Sequence, residues 1–182
     1  MTTQEELIAR CKRGDPAAYT ELYNQHAQAV YNSILRLVGH TGEAEDILQE
    51  SFVAAFQGIA GFAAGGGFGA WVKRIAINKS VDLIRKRKLR FVELEPGWFP
   101  DAELEETVDE ADFQYSMDAV NAAIAALPDG YRTIFNLYAI EQLPQAEIAQ
   151  MLGLENGTVR TQYHRAKTKI KEALKQRGYY ER

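Results

Sequence analysis

Gly153 divides residues 144–174 into two stretches of helical period, and the second is the most constrained part of the chain. Ile148, Ala149, Met151 and Leu152 give the first stretch an apolar side, glycine stands where a helix closes in the left-handed conformation, and Leu154 tucks back. Asn156 or Thr158 is placed to cap the second helix. Val159, Tyr163, Ala166, Ile170 and Leu174 then recur every three or four positions, which predicts one buried stripe. The other faces carry Arg160, Arg165, Lys167, Lys169, Lys171, Lys175 and Arg177 against Glu172 alone. Such a helix packs by one side and offers the other to a polyanion. Helix, glycine turn, cap and basic helix in this order predict a helix-turn-helix, its cations on phosphates and the early residues of its second helix on base edges. The plainer alternative, a solvated basic face, needs none of this order.

The chain as a whole is acidic, with a net charge of −4, because its cations are segregated. Residues 70–90 hold Lys73, Arg74, Lys79, Arg85, Lys86, Arg87, Lys88 and Arg90 against Asp82. Residues 91–118 reverse the sign: Glu93, Glu95, Asp101, Glu103, Glu105, Glu106, Asp109, Glu110, Asp112 and Asp118 meet no Lys or Arg. That segment also holds Pro96, Gly97 and Pro100 without clear period, as a linker does, although Trp98 and Phe99 have the apolar surface to dock. The expected architecture is all-α: two small helical domains, residues 1–90 and 119–182, joined by an acidic linker over 91–118, the second domain containing the helix-turn-helix. At 182 residues and 46% hydrophobic content the chain can bury two such cores.

Cys11 is the sole cysteine, so no intramolecular disulfide forms; beside Leu7 and Ile8 it reads as a packing residue in a reducing compartment. No apolar run approaches the roughly 20 residues of a membrane span, and Glu5-Glu6 is wrong for a signal peptide, so the expected location is cytoplasmic, with no membrane insertion. His26, His40 and His164 lie far apart, no metal-ligand spacing occurs and no nucleophile sits in a motif; neither cofactor, metal nor enzymatic activity is expected.

Along the first domain, Gln4–Lys12 reads as a short amphipathic helix, and Asp15-Pro16 as the cap and first residue of a helix over Pro16–Val38, with Tyr19, Leu22, Val30, Ile34 and Leu37 inward. Gly39 to Gly42 breaks it and Glu43 opens a third, with Ala44, Ile47, Leu48, Phe52, Ala55 and Phe56 buried. Its other side shows Glu45, Asp46, Gln49 and Glu50; the helix dipole accounts for acids in the first turn but not for Gln49 and Glu50. Residues 58–69 read as a flexible loop. Gly65 to Ala70 match a dinucleotide fingerprint in letters only, since the preceding residues have helical rather than strand period. Residues 71–90 form the next predicted helix, in which Trp71, Arg74, Asn78 and Arg85 point outward, apt for stacking on unpaired bases, and residues 85–90 meet phosphate. Helices over 115–127 and 131–140, with a turn at Pro128-Asp129-Gly130, complete the second domain.

Four stretches in order carry a resemblance: Ala44-Glu45-Asp46-Ile47-Leu48-Gln49-Glu50-Ser51-Phe52; Trp71-Val72-Lys73-Arg74-Ile75-Ala76-Ile77-Asn78; Leu127-Pro128 with Tyr131-Arg132; and Glu147-Ile148-Ala149 through Gly157-Thr158-Val159-Arg160 to His164-Arg165-Ala166. The chain resembles the extracytoplasmic-function group of bacterial RNA polymerase sigma factors. The resemblance implies that the first domain grips the clamp helices of core RNA polymerase and opens the minus-ten element of promoter DNA, and that the second reads the minus-thirty-five element as duplex. It implies Asp46, Gln49 and Glu50 as polymerase-binding; Phe62, Ile75 and Asn78 as a pocket for a flipped base, with Arg74 nearby and Trp71 and Arg85 on the same strand; and Thr158, Arg160, Thr161, Arg165 and Lys167 on duplex. An anti-sigma factor is an implied partner. Two departures stand out: Ala63-Ala64-Gly65-Gly66-Gly67 replaces a charged, polar loop, and Gln162 replaces a usual basic residue, which bears on sequence preference. A regulator that binds duplex alone, as a dimer, is the other class the residues admit, but it has no use for the polar side of the third helix or for Trp71.

The alternation of charge predicts self-masking, limited by screening beyond roughly 8 Å at physiological salt. A full chain with Glu103, Glu105, Glu106, Asp109 and Glu110 changed to Gln is expected to bind promoter duplex more tightly than the unaltered chain at low salt, as read by anisotropy; equal binding would reduce the linker to a tether.

Overall fold

The computed structural model describes residues 3–63, 66–87 and 117–176. The acidic segment 91–116, the basic residues 88–90, Arg177, and Ala64 and Gly65 of the predicted loop lie outside the described residues. The chain divides into two compact units, Met1–Lys88 and Leu89–Arg182, and every described element is helical.

In the first unit, α1 (Gln4–Lys12) is closed at its start by a capping box, Thr3 accepting from the Glu6 amide while the Glu6 carboxylate accepts from the Thr3 amide. Asp15 caps α2 (Pro16–Val38), accepting from the Ala17 amide, and its carboxylate lies 2.7 Å from Arg10, which holds it below the usual carboxylate range. Gly39, at φ 72°, ends α2, and α3 (Thr41–Gln57) begins two residues earlier than its acidic residues suggest. One left-handed glycine suffices for the reversal, and Gly42 is tolerated in a first turn whose amides are unpaired in any case. A 3-10 turn (Ile59–Gly61) leads to α4 (Phe68–Lys86), which also starts early, at Phe68 rather than Trp71. Gly67, at φ 70°, makes the entry, and Phe68 is drawn inside because it is wholly buried.

Helices α2, α3 and α4 pack on one another, with α1 against α2. Small residues line the crossings: Ser51 and Ser80 are fully buried and return their hydroxyl protons to the carbonyls of Ile47 and Ala76. Cys11 is buried in this core, where desolvation raises its thiol pKa, in keeping with a packing residue. Tyr19 and Phe56, expected inside, are half-buried and meet edge to face at 4.8 Å, the Tyr19 hydroxyl donating to the Cys11 carbonyl.

In the second unit α5 (Met117–Ala125), α6 (Asp129–Phe135) and α7 (Gln145–Leu152) pack along α8 (Asn156–Gln176). The predicted helix over 131–140 changes pitch: a π-helical turn follows α6 over Asn136–Ile140. The α7 end is a Schellman closure, with Leu154 N–H donating to the Ala149 carbonyl at 2.9 Å and Gly153 at φ 67°. Because α8 already begins at Asn156, and the Val159 amide donates to the Glu155 carbonyl, Asn156 and Thr158 sit inside the first turn rather than capping it. Val159, Ala166, Ile170 and Leu174 are buried as predicted, and Tyr163 is half-buried.

A Cβ at Gly153 or at Gly157 would meet nothing within 4 Å, but only Gly153 is left-handed. Gly153→Ala is therefore expected to cost about 1–2 kcal/mol from backbone strain alone, and Gly157→Ala to stabilise α8 by about 0.5–1 kcal/mol. Thermal melts of the two variants should move in opposite directions.

Candidate nucleic-acid interface

The 3-10 turn and the start of α4 enclose a cleft of about 450 Å3, lined by Gly58, Gly61, Phe62, Ala63, Gly66, Trp71 and Arg74. Two rings make its walls, Phe62 and Trp71, with centroids 4.8 Å apart and planes inclined at 39°. Both lean on Phe68 behind them, at 6.1 and 6.0 Å. Trp71 is thus half-buried, one side packed on the core and the other on the cleft, rather than the outward platform the sequence suggests. Phe62 is buried, and its backbone carbonyl accepts from Lys12 Nζ at 3.0 Å, a bond across 50 residues that no sequence pattern signals. Arg74, one turn beyond Trp71, adds a cationic side chain to the lining. The arrangement can take a flat, apolar ring with an anion beside it. Ile75 is half-buried against the core, Asn78 is exposed, and neither lines the cleft; Asn78 and the exposed Arg85 continue the Trp71 and Arg74 side of α4.

On the α3 side, Asp46 and Glu50 line a groove of about 320 Å3 with Glu43, Ile47, Lys79, Asp82, Leu83 and Lys86. Gln49 lies beside it, exposed, as is Val53 further along the helix. Lys79 approaches Glu50 at 3.2 Å, but both are solvated, and such a surface pair contributes about 0–1 kcal/mol, so it yields readily to a partner. Arg87 departs from the expected phosphate-binding tail: it pairs with Glu43 and donates to the Val38 carbonyl at 3.0 Å, tying the end of α4 to the α2–α3 corner.

In the second unit Arg160 and Arg165 are exposed on α8, while Thr158 and Thr161 are half-buried, Thr161 donating its hydroxyl proton to the Gly157 carbonyl at 2.9 Å. Lys167 lies over the Tyr163 ring at 5.6 Å and Lys169 over Tyr131 at 5.8 Å, cation–π contacts that hold ammonium groups against α8 without burying them. Tyr163 in turn packs on Phe135 and Tyr138. Gln162 corrects the sequence reading: it is 1% exposed, so it faces the core and does not reach a duplex, and neither its amide nitrogen nor its oxygen has a partner. Among the described residues no cluster of His, Cys, Asp and Glu is placed to hold a metal, and no helix is long and apolar enough to cross a membrane.

Comparison with known proteins fits these two units. The profile of Sigma-70 region 2 matches residues 22–90 and that of Sigma-70 region 4 matches residues 117–170. The ECF RNA polymerase sigma factor SigW of Bacillus subtilis is 32% identical over 94% of this chain and 96% of its own, and the RNA polymerase sigma-H factor of Pseudomonas aeruginosa is 31% identical over 96% of each. Among solved structures, CnrH in complex with the cytosolic domain of CnrY covers 93% of this chain and 95% of its own at 25% identity and a TM-score of 0.51. RpoE of Bartonella quintana, solved with the anti-sigma factor NepR, shares the fold at 20% identity, covering 86% of this chain and 96% of its own with a TM-score of 0.52. The chain belongs to the ECF group of RNA polymerase sigma factors. Its work is promoter-specific transcription initiation through RNA polymerase.

Because the Gln162 amide is buried without a partner, Gln162→Leu is expected to raise the melting temperature, the removed penalty being about 1–3 kcal/mol. Promoter preference should not change. A shifted preference in a promoter-library assay would return Gln162 to the duplex face.

Proposed function

We propose that this sigma factor captures an unpaired base of the minus-ten element in the cleft that Phe62 and Trp71 line, and reads the minus-thirty-five element as duplex with α8. The cleft carries the reading. Its two aromatic walls suit a base that has left the stack, an event costing a few kcal/mol that stacking at about 1–3 kcal/mol per base offsets in part. Arg74 is placed for the adjoining phosphate, and Asn78 and Arg85 extend the track along α4, with Ile75 supporting the helix from behind. On α8, Arg160 and Arg165 are the base-edge candidates, Thr158 and Lys167 contact phosphate, and Thr161 offers its oxygen as an acceptor.

Core polymerase binds the first unit through Asp46, Gln49 and Glu50, an exposed polar and acidic face beside the apolar Val53. The domain limits 1–90 and 119–182, with the acidic stretch between them as linker, belong to the same reading, as does a cytoplasmic site of action. The polymerase supplies the chemistry and this chain selects the start site. An anti-sigma protein is the partner that keeps it idle, a reading supported by the likeness to CnrH, which was solved with the CnrY cytosolic domain.

The test is transcription with core polymerase on a random promoter library, followed by sequencing of the starts. Trp71→Ala is expected to blur selection at one minus-ten position, while Arg160→Ala and Arg165→Ala lose discrimination or affinity at the minus-thirty-five element by about 1–3 kcal/mol per base contact. Asp46→Arg with Gln49→Ala should weaken polymerase binding with an unchanged melt. No transcript from any promoter, together with tight duplex binding by the protein alone, would favour a free-standing regulator.

A further inference from the structure

His26 sits on α2 against the first turn of α4. A Cβ at Gly69 would stand 2.6 Å from its Nδ1 and 2.9 Å from its Cε1, closer than side chains approach, so the imidazole occupies the space that glycine leaves open. The same ring lies 5.6 Å from the Phe68 ring, and Phe68 backs both cleft walls. Its Nε2 is buried with no partner. The ring as a whole is half-buried, so the penalty falls on this one nitrogen, and a Leu or Phe in its place would not carry it.

We propose that His26 is a positioning residue for base capture: lodged over Gly69, it sets the seating of the first turn of α4, and through Phe68 the spacing of Phe62 and Trp71. The contact is selective for the neutral ring. Burial pushes the His26 pKa below its ordinary value of 6.5, and a cation beside the start of α4 would oppose the positive end of the helix dipole. The surrounding groups give a proton no counter-charge. One turn either side on α2 are Leu22, Tyr23, Ala29 and Val30; around Gly69 are Gly66 ahead of α4 and Val72 and Lys73 on it; from α3, Phe52 and Phe56 pack behind Phe68. Lys73 is the one charged group of the set, and burial alone lowers the His26 pKa. The folded chain therefore binds this proton less readily than the unfolded chain. The stability that neutral His26 supports is complete above about 6.5 and falls as pH drops below it.

The placement of the walls rests on structure alone; its consequence for DNA rests on the cleft reading above. Trp71 and Trp98 are the two tryptophans, so Trp98→Phe leaves Trp71 as sole reporter. In that background, emission is followed from about pH 8 to about pH 5. The expected result is a shift in Trp71 emission with its midpoint below 6.5, absent in His26→Gln, which leaves His40 and His164 in place. Gly69→Ala should shift the emission at neutral pH, and His26→Ala with Gly69→Ala should restore it. With core polymerase and a promoter carrying a fluorescent base analogue in the minus-ten element, Gly69→Ala should weaken capture by about 5- to 160-fold, the cost of losing one stacking wall, and the double variant should regain it. Should Gly69→Ala fail to fold, the His26→Gln titration still decides. Trp71 emission that is the same at all pH values and in His26→Gln overturns the positioning role. An emission shift that leaves capture intact overturns its extension to DNA, and unaltered capture in Trp71→Ala shows separately that the cleft reading itself has failed.

Discussion

The first unit depends on where one ring can go. Phe68 is wholly buried, with Phe52 at 6.4 Å, Phe56 at 5.9 Å, Phe62 at 6.1 Å, Trp71 at 6.0 Å and His26 at 5.6 Å around it. It joins α2, α3, the 3-10 turn and α4 through contacts that each add about 0.5–1.5 kcal/mol beyond burial of area. Since Phe62 and Trp71 are two of its neighbours, the aromatic side of the cleft is the outer surface of the core, and the glycine-containing loop, with Arg74, supplies the rest of its lining. Its shape persists to the extent that the core does.

The second unit solves a different problem with one helix. The stripe of Val159, Ala166, Ile170 and Leu174 anchors α8, and that burial fixes which way Arg160 and Arg165 face. One side of the helix is core and the other is cationic surface. Lys167 and Lys169 lie on tyrosine rings, so part of the cationic face is held in place before any polyanion arrives, which lowers the side-chain entropy lost on binding.

Much of this was legible in the residues. Asp15-Pro16 marks the start of α2, Gly153 the end of α7, and three-and-four spacing the stripe of α8, because each is a local device whose physics lies within one turn of chain. What was not legible is tertiary. Trp71 reads as outward from the polar company it keeps, yet Phe68 behind it and Phe62 beside it turn it into a wall. The resemblance sets Gln162 in the place of a basic residue, yet its angular position beside Val159 and Ala166 places it inside. Arg87 belongs to a basic run and still folds back to Val38 and Glu43. The early start of α4 reflects a similar limit: Phe68 joins the helix because packing buries it, and propensity alone does not report that.

The bond from Lys12 to the Phe62 carbonyl has a consequence for dissecting such proteins. The region 2 profile starts at residue 22, leaving α1 outside it, although the last side chain of α1 reaches the edge of the cleft. A fragment cut to those family limits would keep both aromatic walls and lose the strut that steadies one of them. Its defects would then be blamed on residues that were never altered. In this chain the helix that looks like an appendage by alignment is, by geometry, part of the frame of the cleft.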